Sequence, residues 1–175
     1  AVALIGLPGA GKSLVAAALG ERLGLRRLDR DASRHALFPH CSYSFIEKHA
    51  AFRALLLGLE INGILGESSV IDGCTFSRRA ELDRVEEVTR RQGQRFVALF
   101  LDCPPDLARE RIRADVAAST HLARDRDPDL VAEVVARFEP PPSTALRIDA
   151  SRPADEVCRL ACEAVAALGS VAPGI

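Results

Sequence analysis

The feature that most constrains this chain is a glycine-rich stretch near its start, which reads Gly6-Leu7-Pro8-Gly9-Ala10-Gly11-Lys12-Ser13. It fits the pattern G-x-x-x-x-G-K-[ST], in which the backbone N–H groups of a loop surround the phosphates of a nucleotide. An apolar run precedes the stretch and a helical pattern follows it, and the start of a helix adds partial positive charge. We predict a nucleotide-phosphate site formed by Gly6, Pro8, Gly9, Ala10, Gly11, Lys12, Ser13 and Leu14.

Two side chains of this loop are expected to contact the nucleotide and its metal ion. Lys12 would reach the β- and γ-phosphates, and the Ser13 hydroxyl would ligate Mg²⁺. Lys12 and Lys48 are the only lysines among 23 basic residues, which favours a compact ammonium over a guanidinium at this position. Neither lysine follows an asparagine, so the guanine motif N-K-x-D is missing. We expect ATP with Mg²⁺ as the nucleotide and the cofactor.

Short apolar runs alternate with longer amphipathic stretches along the chain, a pattern typical of parallel strands joined by helices. The predicted strands span 2–5, 25–28, 69–71, 95–101 and 145–148. The predicted helices span 12–23, 32–37, 45–66, 77–92, 105–114, 128–138 and 154–168. The predicted fold class is α/β: a P-loop NTPase three-layer sandwich with a five-stranded parallel sheet and helices on both faces.

Length and composition limit the class of protein. A chain of 175 residues with 48% hydrophobic residues predicts a single domain over 1–175. It has no apolar run of 18 residues, so we expect no membrane association and a soluble, cytoplasmic protein. Five cysteines without a C-x-x-C pair indicate neither a disulfide framework nor a zinc site. Because the chain lacks methionine and starts within a predicted strand, we expect that these 175 residues are part of a longer sequence.

The net charge of the chain limits the kinds of nucleic acid that it could bind. The net charge of −1, with basic residues spread along the chain, argues against an extended duplex as a partner. The end of a single strand remains open as a partner.

The segment after the second predicted strand carries a candidate base and a candidate anchor for the acceptor. Asp31 would lie at the carboxyl end of a strand beside the P-loop strand, where ligands bind in parallel sheets. Its carboxylate could take the proton of an attacking hydroxyl, and Arg34 lies on the same helical face, able to hold an acceptor anion. Asp29 competes for the same roles, and Asp31 could instead be the N-cap of the next helix.

Two further strands end on an acidic residue. Asp72 ends the third strand, where a carboxylate suits Mg²⁺ through water or a substrate hydroxyl, with a structural cap as the alternative. Asp102 ends the fourth strand, and a capping role is at least as well supported there as a catalytic one.

Five arginines between positions 109 and 127 predict a mobile lid. An arginine brought over the γ-phosphate would neutralise charge in the transition state and help to exclude water. Because acidic residues are interspersed, a solvated, ion-paired helix surface remains the alternative. The five are Arg109, Arg111, Arg113, Arg124 and Arg126.

The motifs together resemble the P-loop kinases of the AAA_33 or zeta-toxin-like group and are similar to the kinase domain of polynucleotide 5′-hydroxyl kinases. The segments that carry the resemblance are GLPGAGKS, DASRHALFP, VIDGCTFSRRAELDR, LDCPPDLARERIR and ARFEPP. The resemblance implies that Asp31 is the general base, that Arg34 contacts an acceptor phosphate or the substrate, and that Arg111 lies at the lid. It also implies that Asp72 and Arg79 belong to the acceptor pocket. This chain lacks the arginines that the group often carries just after Arg113, so the catalytic lid arginine stays open among Arg111, Arg113, Arg124 and Arg126.

The sequence therefore predicts a phosphotransferase that moves the γ-phosphate of ATP to a hydroxyl acceptor. The near-neutral charge and the single tyrosine favour a small-molecule acceptor over a polynucleotide 5′-hydroxyl end. The alternative is a nucleotide-binding regulatory NTPase or switch module that has no acceptor.

Overall fold

The computed structural model describes residues 1–118 and 128–169 of the chain. Within these residues, β-strands alternate with α-helices as the sequence pattern predicts. In chain order the elements are β1 (Val2–Ile5), α1 (Lys12–Leu23), β2 (Arg26–Asp29), α2 (Arg30–Leu37), α3 (Phe45–Ile64), β3 (Ser69–Asp72), α4 (Arg79–Arg91), β4 (Val97–Asp102), α5 (Pro105–Ala118), α6 (Asp129–Ala136), β5 (Leu146–Asp149) and α7 (Ala154–Gly169).

The five strands form one parallel sheet in the order β2-β3-β1-β4-β5. The central strand, β1, is buried along its whole length, which explains its uninterrupted apolar sequence. Because all strands run in the same direction, their carboxyl ends meet at one edge of the sheet. The glycine-rich stretch 6–13, called the P-loop below, lies at that edge together with Asp29 and Asp72.

Helices cover both faces of the sheet, which confirms the predicted three-layer α/β architecture. Alternate residues of β1 point to opposite faces, so Leu4 and Ile5 belong to two separate apolar clusters. The cluster around Leu4 includes Val15 and Leu19 of α1 and Val157 and Ala161 of α7. The cluster around Ile5 includes Leu55 and Leu59 of α3 and Leu82 and Val85 of α4.

Several predicted boundaries differ from the observed ones because individual side chains, near or distant in the chain, cap the helices. Helix α2 begins at Arg30 rather than 32, since Asp29 caps it. Helix α4 begins at Arg79 rather than 77, where the Glu139 carboxylate accepts from the Arg79 N–H at 2.7 Å. No helix in the described parts of the chain combines the length and apolar character needed to cross a bilayer.

Candidate active site

The P-loop connects β1 to α1 and packs against α5. Gly9 has φ +80°, and a Cβ at this position would lie 2.4 Å from the backbone oxygen of Ala108. Gly11, with φ +88°, is the residue immediately before α1. Glycine is therefore required at Gly9 both for the left-handed backbone and for the close approach to α5. The loop ends at the N-terminus of α1, where N–H groups are available to an anion.

The Lys12 ammonium is held within the loop itself. Its Nζ donates to the backbone oxygen of Gly6 at 2.9 Å and to that of Leu7 at 2.7 Å. The residue is only 8% exposed and lines the main cleft. The ammonium is thus already positioned beside the loop that would hold the phosphates.

Ser13 and Asp72 meet beside the P-loop, although 59 residues separate them in the chain. The Ser13 hydroxyl donates to Asp72 Oδ1 at 3.3 Å, and the Gly73 N–H donates to the same oxygen at 2.7 Å. Asp72 is 1% exposed. A hydroxyl and a carboxylate are oxygen ligands of the kind that Mg²⁺ takes. Among residues 1–118 and 128–169, no group of three or more His, Cys, Asp or Glu side chains could hold a metal.

Sequence reasoning missed Arg27, which is bonded to the buried carboxylate of Asp72. Its Nη2 and Nε donate to Asp72 Oδ2 at 2.6 and 3.2 Å. The two residues lie on neighbouring strands, since the parallel register pairs Arg27 with Val70 and Asp29 with Asp72. The signal that could have found Arg27 is its position two residues before Asp29, on the same side of β2.

Asp29 and Asp31 occupy different positions at the start of α2. The sequence left open which of the two caps the helix and which faces the ligand. Asp29 is the N-cap, and its Oδ1 accepts from the N–H groups of Asp31 at 2.8 Å and Ala32 at 3.2 Å. Asp31 lies in the first turn and lines the cleft. The N-cap alternative for Asp31 is therefore wrong, because the preceding aspartate already fills that position.

Arg34 lies one turn beyond Asp31 and is almost completely buried. Its Nη2 donates to Asp31 Oδ1 at 2.7 Å, and the guanidinium carbon lies 4.5 Å from the centre of the Tyr43 ring. Arg34 is 2% exposed, and its Nε has no hydrogen-bond partner within the part of the chain that the structure describes. A buried cation with an unused donor is costly unless a further acceptor is supplied.

A cleft of about 770 Å³ brings most of the predicted site residues together. From the P-loop it is lined by Pro8, Gly9, Gly11, Lys12, Ser13 and Leu14. From other elements it is lined by Asp31, Arg34, Asp72 and Arg111. The candidate base, the candidate metal ligands and the phosphate-binding loop thus face one space.

Three predicted residues lie outside the lining of this cleft. Gly6 contributes its carbonyl to Lys12 and its N–H to Thr75, and Ala10 lines a smaller cavity beside α7. The Arg79 side chain instead pairs with Asp83 at 2.6 Å on the exposed face of α4. Its neighbour Arg78 lines the cleft, because α4 begins only at residue 79 and turns the two side chains in different directions.

The predicted lid is described only in part. Arg111 on α5 lines the cleft, and its Nη1 donates to the backbone oxygen of Ala150 at 3.0 Å. Arg113 is exposed and does not line the cleft. Residues 119–127, with Arg124 and Arg126, lie outside the described residues. Of the candidate lid arginines that the structure describes, Arg111 alone faces the cleft.

Asp102, the remaining acidic candidate, lies at the end of β4 and forms an ion pair with Arg147 of β5. Asp102 accepts from the Arg147 side chain at 2.6 and 3.0 Å. Asp102 does not line the cleft, and its role as a cap of the next helix stays a prediction. The pair connects two strands at the edge of the site.

The strand order, the loop after β1 and the parallel sheet define a nucleotide-binding protein with a P-loop kinase fold. The chain matches the AAA_33 family, described as "AAA domain", over residues 2–141, and it belongs to this family. The resemblance to the AAA_33 group is thereby confirmed. The narrower likeness to polynucleotide 5′-hydroxyl kinases stays a prediction.

Relatives and solved structures agree with this fold. The chain is 29% identical over 115 residues to an adenylyl-sulfate kinase of Saccharomyces cerevisiae, covering 62% of this chain and 55% of that protein. It thus spans about half the length of this curated relative. A gluconokinase from Sinorhizobium meliloti 1021 superposes with a TM-score of 0.72 at 20% identity, covering 96% of this chain and 92% of the other. An APS kinase of Mycobacterium tuberculosis gives 0.66 at 22%, covering 94% and 96%.

Proposed function

We propose that this protein is an Mg²⁺-dependent phosphotransferase that moves the γ-phosphoryl group of ATP to a hydroxyl of a small molecule. The observation that carries the proposal is that Asp31, paired with Arg34, faces the same cleft as Lys12 and Ser13. A carboxylate beside a phosphate-binding loop is the arrangement that transfer to a hydroxyl requires.

Each residue has a distinct task in this reaction. Lys12 would balance charge on the β- and γ-phosphates, and Arg111 would do so from the lid side. The Asp31 carboxylate takes the proton of the acceptor hydroxyl while the hydroxyl oxygen of the acceptor forms a bond to the γ-phosphorus. The bond from that phosphorus to the β–γ bridging oxygen breaks, and ADP leaves. Arg34 orients both Asp31 and the acceptor.

The residues beside the P-loop fit a bound Mg²⁺. The Ser13 hydroxyl would be one ligand, and Asp72 Oδ1 would act through water. When bound, the ion would supply positive charge that offsets the charge developing on the transferred phosphoryl group. Asp72 and Ser13 already share a hydrogen bond, so the two oxygen atoms need little rearrangement to face one ion.

The charge of the cleft supports a phosphate-bearing ligand. Seven cationic side chains and four carboxylates line it, although the chain as a whole carries a net charge of −1. An excess of cations in a concave site attracts anionic substrates.

A small-molecule acceptor is favoured over a polynucleotide end. One relative is named an adenylyl-sulfate kinase, and a structural neighbour is named a gluconokinase. A polynucleotide 5′-hydroxyl end is the second acceptor to be tested.

The decisive experiment compares Asp31→Asn with Lys12→Ala in acceptor-dependent transfer of labelled phosphate from ATP. The acceptor panel holds small sugars, sugar acids and nucleosides, together with an oligonucleotide bearing a 5′-hydroxyl. We expect Asp31→Asn to bind nucleotide normally and to lose about 10²–10⁴-fold in kcat, the usual contribution of a general base. Lys12→Ala should weaken nucleotide binding as well.

The matched control is Asp106→Asn, an exposed aspartate on α5 that pairs with Arg109 outside the cleft. Full activity of Asp31→Asn would contradict the assignment of the base. Steady ATP hydrolysis that no acceptor stimulates would instead favour the regulatory NTPase. Robust labelling of the oligonucleotide alone would replace the small molecule with a strand end.

A further inference from the structure

One guanidinium joins the metal side of the cleft to the acceptor side. Arg27 Nη2 donates to Asp72 Oδ2 at 2.6 Å and to Asp29 Oδ2 at 3.0 Å. Asp72 is bonded to Ser13, and Asp29 caps the helix that carries Asp31. Arg27 therefore contacts one residue from each half of the proposed site.

The other oxygen of each carboxylate continues this connection. Asp72 Oδ1 accepts from the Ser13 hydroxyl at 3.3 Å, and Asp29 Oδ1 accepts from the Asp31 N–H at 2.8 Å. An unbroken series of hydrogen bonds thus runs from Ser13 through Asp72, Arg27 and Asp29 to the backbone of Asp31. Arg27 is the centre of this series, between the candidate metal ligands and the candidate base.

Burial indicates that Asp72 depends on Arg27 for its orientation and its charge balance. The Asp72 side chain is 1% exposed, whereas that of Arg27 is 39% exposed. A buried carboxylate needs a hydrogen-bonded cation, and Arg27 supplies two N–H groups to a single oxygen of Asp72. Arg27 does not line the cleft, so it acts through Asp72 and Asp29 rather than on a substrate.

We propose that Arg27 is a positioning residue that fixes Asp72 relative to Asp31 and leaves Asp72 only its Ser13-facing oxygen for the Mg²⁺ site. The expected effect on kcat rests on the proposed function. The expected effect on Mn²⁺ binding does not depend on the identity of the acceptor. Removing the guanidinium would release Asp72 Oδ2 and remove a positive charge beside the metal site.

The test uses three variants of the full chain. Arg27→Met removes the charge and keeps the length of the side chain, and Arg27→Lys keeps the charge but loses the planar fork. Arg26→Met is the matched control, because Arg26 lies on the same strand and pairs with exposed Glu67. Two quantities are measured: the kinetic constants kcat and KM for ATP, and Mn²⁺ binding to the ADP-bound protein by electron paramagnetic resonance.

We expect Arg27→Met to lower kcat by about 10–100-fold, because a small misplacement of reacting groups costs that much, with little change in KM. Mn²⁺ should bind about threefold more tightly, since a nearby cation has been removed. Arg27→Lys should bind Mn²⁺ as the wild type does and still show reduced kcat. Arg26→Met should match the wild type in both measurements.

The outcomes separate this proposal from the proposed function. Wild-type kcat and Mn²⁺ affinity in Arg27→Met, or in Arg27→Lys where Arg27→Met does not fold, would overturn the positioning role. Weaker Mn²⁺ binding by a folded Arg27→Met would also overturn it, because release of Asp72 Oδ2 and loss of the nearby positive charge are expected to tighten binding. If the wild type phosphorylates no acceptor, the proposed function fails, while the Mn²⁺ measurement still decides the role of Arg27.

Discussion

The backbone of Gly73 packs so closely against the backbone nitrogen of Asp31 that a side chain at residue 73 would force a small shift. A Cβ at Gly73 would lie 3.0 Å from the backbone nitrogen of Asp31 and 3.0 Å from Asp29 Oδ1. Gly73 also has φ +73°, in the left-handed region. The end of β3 is thereby packed directly against the N-terminus of α2. The position of the candidate base depends on this contact.

We therefore expect Gly73→Ala to reduce both stability and phosphotransfer. Gly66→Ala is the matched control, because Gly66 has the same φ of +73° but a Cβ there would meet nothing within 4 Å. The left-handed conformation alone costs alanine about 1–2 kcal/mol, which both variants should show in chemical denaturation. Gly73→Ala should lose further stability and about tenfold in kcat, because the start of α2 must give by a few tenths of an ångström. Equal effects of the two variants on kcat would contradict this.

Among the described arginines of α5, Arg111 is expected to be the one that acts on the nucleotide. Arg111→Met should lower kcat/KM for ATP by about 10²-fold, within the range seen when a charge-stabilising donor is lost. Arg109→Met should have little effect, because Arg109 pairs with exposed Asp106 away from the cleft. Steady-state kinetics on both variants provide the measurement. A larger loss in Arg109→Met would exclude Arg111 as the principal arginine.

Glu47 makes the start of α3 sensitive to acid. N–H groups of Ser42 and Ser44 donate to its carboxylate, which lowers the pKa of Glu47 from 4.5 to about 2. A lowered pKa stabilises the fold above the ordinary value, and this contribution is lost as the pH falls from about 4.5 towards 2. Glu47→Gln should therefore have a lower Tm than the wild type at pH 7, and the difference should disappear near pH 2. Glu60→Gln, on the same helix, provides the control, and a constant difference would contradict the prediction.

Cys74 is expected to be unreactive in the folded protein. Burial raises the pKa of its thiol to about 12, and the residue is 1% exposed. Because the thiolate is the reactive form, iodoacetamide at pH 8 should modify Cys74 only after unfolding. The partly exposed Cys41 should react first, and mass spectrometry of digested protein distinguishes the two sites. Rapid labelling of native Cys74 would show that the end of β3 opens readily.

The elements around the P-loop could be predicted closely because their signals are local. The bounds of β1 and α1 follow from an apolar run, a glycine loop and a helical pattern within 23 residues. The start of α2 and the start of α4 could not be predicted in this way. For α2, Asp29 and Asp31 both favour an N-cap, so local sequence does not choose between them. For α4, the first turn depends on Glu139, which is 60 residues distant from Arg79.

Some residues of the candidate site could likewise be predicted from local sequence, and others could not. Strand-end positions predicted that Asp31 and Asp72 would lie near the P-loop, because parallel strands share one edge. Arg27 carried no motif, and its role appears only when β2 and β3 lie side by side. The contrast between Arg78 and Arg79 depends on the exact residue at which α4 begins.

The sequence by itself determined the phosphate-binding loop, the parallel α/β architecture and the acidic residues at the strand ends, since these follow from short-range patterns of glycine, charge and hydrophobicity. The tertiary structure decided that Asp29 caps α2 and thereby leaves Asp31 to the cleft, and that Asp72 is bonded to both Ser13 and Arg27. The physical reason is that Asp29 and Asp31 are both residues that favour an N-cap, so local sequence does not choose between them, and that the hydrogen bonds of Asp72 join residues that are distant in the chain and meet only when β2, β3 and α1 are packed together.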